Sequence, residues 1–298
     1  MSYSNLKTVR ANSIVRSRLS VLAMRRTRAR RAVGFAWKFL IAVLFLSPLL
    51  MGLSYSFRTD AEIMMTRGVT LLPRVWTVEN YQWVFVYVPV LTYLKNSILH
   101  YVLMVGSQVI FCSMTAYAFA NFKFHGKSFL FNCILFAMMI PGEVTVITNF
   151  LQIQKWGMLN TYIGMVITGL VSSLGIFTLR QFYLSLPKEL KEAAILDGCG
   201  DIGFWFRIAL PLSVPTIASM AIYEFVTIYN RYLWPLLVAK RSNMYTIQIG
   251  MDMLKSSEGD NLGLILAGAV ICIVPVVLVF VFGQKYIIRG MVSGGVKG

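Results

Sequence analysis

The chain has 298 residues, of which 57% are hydrophobic and only 13% are charged, and its mean hydropathy is +0.67. A soluble domain usually carries about a quarter charged residues, so this composition excludes an ordinary soluble domain and indicates several membrane-spanning segments. The formal net charge is +16. The four cysteines have neither CxxC nor metal-ligand spacing, so we expect no disulfide framework and no metal site.

Residues 1–33 form a basic arm that contains no acidic residue. Binding to nucleic acid is conceivable for such an arm. A basic tail directly before a spanning segment is more typical of a topological anchor at the anionic cytoplasmic leaflet. We therefore expect a cytoplasmic arm at 1–33 and one membrane domain at 34–298, with no nucleic-acid partner.

Six apolar runs have the length that a spanning helix needs, which is about 20 residues. The predicted spans are 34–57, 97–120, 128–150, 162–183, 208–229 and 262–282. The first run is long and no A-x-A-like cleavage site follows it, which argues against a signal peptide. The predicted fold class is all-α, a polytopic membrane protein with six transmembrane helices.

The distribution of Lys and Arg predicts the orientation. An even number of spans places both termini on one side, and the basic arm, the 184–207 loop and the C-terminal tail are all rich in Lys and Arg. By the positive-inside rule both termini are predicted to be cytoplasmic. Segments 58–96 and 230–261 then lie outside.

The loop between the fourth and fifth spans, residues 185–211, contains start and stop signals for a short helix. Pro187 suits a first helical turn, and Gly198 is placed to end the helix in the left-handed conformation. This predicts a cytoplasmic helix of about three turns from Pro187 to Asp197. By helical spacing, four residues would share one face: Leu190, Ala193, Ala194 and Asp197. Two small alanines on that face would let another surface approach closely, although a solvated loop helix with a routine cap would look the same.

The same loop reads Glu192-Ala193-Ala194, three residues, Gly198, nine residues, then Ile208-x-Leu210-Pro211. This resembles the EAA loop of ABC importer permeases throughout its spacing. Further motifs, at 140–143, 160–162 and 294–298, are similar to the carbohydrate-uptake branch, and within it to the smaller permease of maltose-type importers. The resemblance runs from the first span to the C-terminus.

The resemblance implies a type I importer permease whose loop helix docks on a cytoplasmic ABC ATPase dimer. The implied ATPase-coupling residues are Glu192, Ala193, Ala194, Asp197, Gly198, Ile208 and Pro211. It also implies a second homologous permease subunit and an extracytoplasmic solute-binding protein, toward which residues 240–261 would reach. The chain has no G-x-x-x-x-G-K-[ST] phosphate loop, so ATP and Mg would belong to the ATPase, and we expect no catalytic residue and no cofactor here.

Three polar residues in or beside the spans are candidates for the translocation path: Glu143, Glu224 and Asn230. A charge at bilayer depth usually faces a cavity or a polar partner. Glu224 could instead be an inter-helix hydrogen-bonding group, and Glu143 could lie at the interface with the second permease. The resemblance favours a sugar as cargo, with glycerol phosphate, an amino acid or a peptide as alternatives.

Other classes of protein fit the sequence less well. An ion-coupled secondary transporter would show paired repeats with broken helices, which the sequence does not reveal. A membrane-anchored tether would leave the loop unexplained. An intramembrane enzyme would need a nucleophile–base or metal constellation.

Overall fold

The computed structural model describes residue 31 and residues 33–65, 70–257 and 261–295. Within these ranges the secondary structure is helical and contains no β-strand, which confirms the predicted all-α class. The predicted basic arm, apart from residues 31 and 33, lies outside the described residues.

The helices are numbered in chain order. They are α1 Val33–Ser56, α2 Asp60–Met65, α3 Glu79–Tyr87, α4 Val90–Asn121, α5 Lys127–Ala137, α6 Gly142–Lys155, α7 Tyr162–Val166, α8 Ser173–Ser185, α9 Lys188–Leu196, α10 Asp201–Phe204, α11 Leu210–Leu212, α12 Val214–Tyr229, α13 Leu233–Val238, α14 Ile247–Ser257 and α15 Leu262–Gly295. Short 3₁₀ turns at Ile167–Gly169 and Ser242–Met244 and a π-helical turn at Trp205–Ala209 complete the regular structure of these ranges.

The predicted spans fall on two kinds of element in the described chain. Helices α1 and α4 and the Leu262–Tyr286 part of α15 are each long and apolar enough to cross a membrane. The other three predicted spans coincide with bent helix pairs: α5 with α6 at 96°, Tyr162–Gly169 with α8 at 53°, and Asp201–Leu212 with α12 at 67°. By length and composition, the described residues therefore contain three helices that could cross a membrane, or up to six spans if each bent pair counts as one.

Two of the three bends have a local cause in the sequence. Pro141 lacks an N–H and disfavours helical conformation in the residue before it, so α5 ends near Ala137 and α6 begins at Gly142. The bend before α8 coincides with Ser172, whose hydroxyl accepts from the N–H of Gly175 and caps a new helix. Apolar runs alone do not reveal such caps.

Two helices extend beyond the predicted spans. The second predicted span begins at 97, whereas α4 already begins at Val90, directly after Pro89. The last predicted span ends at 282, whereas α15 continues to Gly295. The apolar criterion excluded residues such as Lys95 and Lys285, although a helix continues past its apolar run until a stop signal ends it.

Helix α4 is the centre of the packing. It packs most extensively on α8 and also on α12, while α15 packs on α12, α3 and α14. Three buried clusters each take residues from α4: Tyr93 in one, Met104 in the second, and Cys112 and Ala116 in the third. This continuous helix therefore contacts both of the regions described next.

Candidate functional site

The short helix α9 forms as the sequence predicts, within one residue at each end. Pro187 precedes it and Asp197 follows it. Gly198 has φ +77°, its N–H donates to the carbonyl of Ile195 at 3.0 Å, and the N–H of Cys199 donates to the carbonyl of Ala194 at 2.8 Å. These bonds form a Schellman motif, which confirms the predicted left-handed cap.

The two alanines of α9 do not share an outer face, which corrects the face that helical spacing suggested. Ala193 is exposed, whereas Ala194 is 5% exposed and belongs to a buried cluster with Tyr183 and Phe204. The reason is that α10 folds back against α9 after the Gly198 turn, and adjacent residues on a helix point about 100° apart. Glu192 and Asp197 are exposed.

The tip of the loop presents apolar side chains among charged ones. Leu196 is 88% exposed and Ile202 is 81% exposed, although Glu192, Asp197 and Asp201 surround them in sequence. Apolar side chains exposed on a polar loop are typical of a protein–protein contact. Other exposed apolar residues, by contrast, lie on helices that are long and apolar enough to cross a membrane.

The chain leaves this loop through the π-helical turn Trp205–Ala209, which contains the partly buried Ile208. Pro211 follows in α11 and cannot donate an N–H to the preceding turn. The 67° bend then leads into α12. Ile208 and Pro211 thus lie between the loop helix and the first turn of α12.

A polar cleft of about 550 Å³ lies beside the far end of α12. Its wall includes Glu143 from α6 and Asn230 at the end of α12, so the structure brings together two of the three residues predicted for the path. Other polar groups of the wall are Thr145, Asn149, Thr168, Thr227 and Arg231. Hydroxyl and amide groups in such a cleft can exchange hydrogen bonds with a polar solute.

Glu224, the third predicted residue, lies elsewhere. It is 6% exposed, is not part of the cleft wall, and accepts a hydrogen bond from Ser172 Oγ at 3.1 Å. The same hydroxyl accepts from Gly175 N–H. The Glu224 carboxyl therefore ties α12 to the bend between α7 and α8.

Sequence reasoning did not single out three other residues of the cleft, Arg231, Tyr232 and Trp234. The Trp234 Nε1–H donates to the Met165 carbonyl at 3.0 Å. The Tyr232 hydroxyl donates to Asp252 Oδ2 at 2.7 Å, which raises the pKa of Tyr232 above its usual range. The run of polar and aromatic residues directly after an apolar span was the signal that could have identified them.

The described part of the chain contains no group of three or more His, Cys, Asp or Glu side chains arranged to hold a metal ion.

The loop and the cleft lie at opposite ends of α12, whose 16 residues span about 24 Å. The candidate functional site therefore has two parts, the exposed surface of the 188–212 loop and the polar cleft.

Comparisons with known proteins identify the family of the chain. Residues 108–293 match the family model described as "Binding-protein-dependent transport system inner membrane component". The chain is 38% identical to the arabinooligosaccharides transport system permease protein AraQ of Halalkalibacterium halodurans, over 89% of this chain and 95% of that protein. It is 33% identical to the sn-glycerol-3-phosphate transport system permease protein UgpE of Brucella abortus, over 76% of this chain and 83% of the relative.

A solved structure has the same fold. It is a chain of a bacterial ABC transporter involved in the import of the acidic polysaccharide alginate, with a TM-score of 0.76 and 23% identity, covering 87% of this chain and 96% of that one. Because the family model covers the loop, the cleft and most of the helices, the chain belongs to the family of binding-protein-dependent transport system inner membrane components, the permease subunits of ABC importers.

Proposed function

We propose that this chain is the transmembrane permease subunit of an ATP-driven importer for a sugar or oligosaccharide in a bacterial cytoplasmic membrane. In this proposal the chain is not itself an enzyme. It converts ATP hydrolysis by an associated ABC ATPase dimer into alternating access of a solute path.

The observation that carries the proposal is the 188–212 loop. It combines the Glu192-Ala193-Ala194 motif, the left-handed Gly198 turn and the exposed side chains of Leu196 and Ile202. A short helix with apolar tips can insert into a cleft of another subunit, and its charged rim can fix the orientation. Ala193, Asp197, Ile208 and Pro211 would complete the coupling element, and Ala194 would support it from inside.

The loop defines the proposed membrane topology. Each bent pair would be one span, which makes six with α1, α4 and α15. Docking of the loop on a cytoplasmic ATPase would then place both termini in the cytoplasm, in agreement with the excess of Lys and Arg there. The segment containing α14 would face outward, toward a solute-binding protein.

Other subunits would supply what this chain does not. ATP and Mg would bind to the ATPase, a second homologous permease would complete the path, and membrane lipid would cover the remaining apolar surface of α1 and the other spans. The exposed apolar side chains along α1 suit either lipid or a neighbouring permease.

The polar cleft would form part of the solute path, with Glu143 and Asn230 on its wall. Glu143 and Arg231 supply one charge of each sign, and the remaining polar groups of the wall are hydroxyls and amides. This balance favours a neutral, polyhydroxylated solute, and arabinooligosaccharides are the cargo that the name of one relative gives. Glycerol phosphate is the alternative, because Arg231 could bind a phosphate and the name of another relative gives that cargo.

The proposal is tested by affinity purification in mild detergent, with wild type compared with Gly198→Val. Valine is strained at φ +77°, so the turn should change and the ATPase should be lost. Gly200→Val is the matched control: Gly200 has φ −73°, and both glycines have open space where a Cβ would be placed.

The expected result is that wild type and Gly200→Val co-purify with an ATPase and a second permease, whereas Gly198→Val retains only the second permease. Recovery of wild type alone as a stable monodisperse protein would contradict the proposal. That result would favour an ion-coupled transporter instead.

A further inference from the structure

Helix α4 is continuous where other spans of the described chain are broken. Its 32 residues span about 48 Å without an interruption, whereas the α5–α6, α7–α8 and α10–α12 segments bend by more than 50°. A continuous helix transmits a displacement of one end to the other, whereas a bend between two helices can absorb it.

One end of α4 holds the segment before α14. Asn96 is 2% exposed, and its Nδ2 donates to the carbonyls of Asn243 at 2.8 Å and Tyr245 at 2.9 Å. The next residue, Ser97, accepts from the N–H of Ile247 at 2.9 Å. Residues 243–247 are therefore attached to α4 by three buried or partly buried hydrogen bonds.

The other end of α4 holds the 188–212 loop. Lys191 in α9 and Asp201 in α10 form an ion pair at 2.9 Å across the Gly198 turn. The hydroxyl of Tyr117 in α4 donates to Asp201 Oδ1 at 3.5 Å. The Lys191 ammonium lies 5.8 Å from the ring centroids of both Tyr117 and Phe122, within the range of cation–π attraction.

Two more cations attach neighbouring helices to the same end of α4. Arg180 in α8 donates from Nε to the Phe119 carbonyl at 3.1 Å, and Lys127 in α5 donates to the Phe122 carbonyl at 2.8 Å. Carbonyls at a helix C-terminus lack intrahelical partners and carry partial negative charge, so cations stabilise this end. The end of α4 is therefore attached to the loop, to α5 and to α8.

We propose that α4 carries the coupling signal between the ATPase-docking loop and the 243–247 segment, and that the Lys191–Asp201–Tyr117 cluster is its attachment at the loop end. The inference rests on the proposed function of the loop. Lys191 and Asp201 are positioning residues in this proposal. Their ion pair keeps α9 and α10 together as one unit that contacts Tyr117 of α4. Binding at either end of α4 then changes the affinity at the other end by the same factor, because a coupling free energy between two sites is reciprocal.

The test uses the complex purified with its ATPase subunits in nanodiscs. Amide hydrogen exchange of residues 243–247 is measured with and without MgATP plus orthovanadate. The variants are Lys191→Asp, Asp201→Lys and the double exchange Lys191→Asp/Asp201→Lys. Lys123→Asp is the matched control, because it makes the same charge change at an exposed position beside the same end of α4 but outside the 188–212 loop.

An ion pair whose side chains are 27% and 48% exposed contributes little to folding stability, so every variant should fold. We expect the nucleotide to change exchange at 243–247 in wild type and in Lys123→Asp. Each single variant of the ion pair should reduce that change by about fivefold or more, the low end of allosteric coupling, and the double exchange should restore it.

Single variants that respond like Lys123→Asp, or a double exchange that does not recover, would overturn the role of α4. A wild-type complex that contains no ATPase, or does not hydrolyse ATP, would instead refute the proposed function on which the inference rests. The two failures are therefore distinguishable.

Discussion

At the scale of single residues, Ser172 has the most connections in the described bend between α7 and α8. Its hydroxyl accepts from Gly175 N–H, which starts α8, and donates to the Glu224 carboxyl in α12. Its own N–H lies 3.2 Å from Cys112 Sγ in α4. The Ser172 side chain therefore caps the start of α8 and donates a hydrogen bond to the buried Glu224 carboxyl.

Ser172→Ala should lower the thermal stability of the purified protein. The loss of an N-cap costs about 1 kcal/mol, and a buried carboxyl without its donor adds a further penalty of about 1–3 kcal/mol. Ser173→Ala, one residue later, is the control. The measurement is the apparent melting temperature in detergent, and equal values for the two variants would contradict the role of Ser172.

The sequence predicted the residues whose conformation is decided locally. Gly198 ends α9 because the motif that requires it lies within five residues, so its left-handed backbone was foreseeable. Ala194 and Glu224 depend on partners in other elements, namely Phe204 and Ser172. Periodicity gives no information on such pairs, and so the burial of Ala194 was missed.

At the scale of elements, the turn before α7 and the chain after α13 hold each other in place. Asn160 has φ +58°, and its Oδ1 accepts from the N–H groups of Lys240 at 3.2 Å and Arg241 at 3.0 Å. Its own N–H donates to the Val238 carbonyl at 2.8 Å. The side chain of Asn160 thus supplies the acceptor that a loop leaving a helix needs.

Asn160→Gly should loosen this loop and leave the helices intact. Glycine adopts the same positive φ without strain but has no acceptor for the two N–H groups. We expect faster hydrogen exchange at Lys240 and Arg241. Asn160→Asp keeps an acceptor oxygen and should retain protection, so equal exchange in both variants would show that the side chain does not hold the loop.

The helices themselves were largely predictable, and the bends were only partly so. Apolar runs located each spanning segment because a spanning helix must be apolar over most of its length. The Pro141 break was visible as a residue type. The bend before Ser173 depends on the Ser172 cap and on packing against α4, which sequence periodicity does not contain, whereas the bend before Val214 lies beside Pro215.

At the scale of the whole molecule, the structure places a contact loop and a polar cleft at opposite ends of α12, with α4 running alongside. The sequence predicted the loop from its motif. It predicted only part of the cleft, because Glu143 and Asn230 come from distant segments that the fold brings together. Both features lie within the residues that the family model matches.

The central claim is that ATP hydrolysis on the side of the loop drives uptake through this chain. The most direct test is uptake by proteoliposomes that contain the co-purified complex and its solute-binding protein. MgATP is supplied on the loop side, and ion gradients are collapsed with ionophores. Labelled arabinooligosaccharide and glycerol phosphate serve as the two cargo probes.

The account predicts uptake of one of these probes that requires ATP and persists without ion gradients, and its loss in Gly198→Val but not in Gly200→Val. Uptake that an ion gradient drives without ATP would contradict the account. Such a result would identify the chain as an ion-coupled transporter.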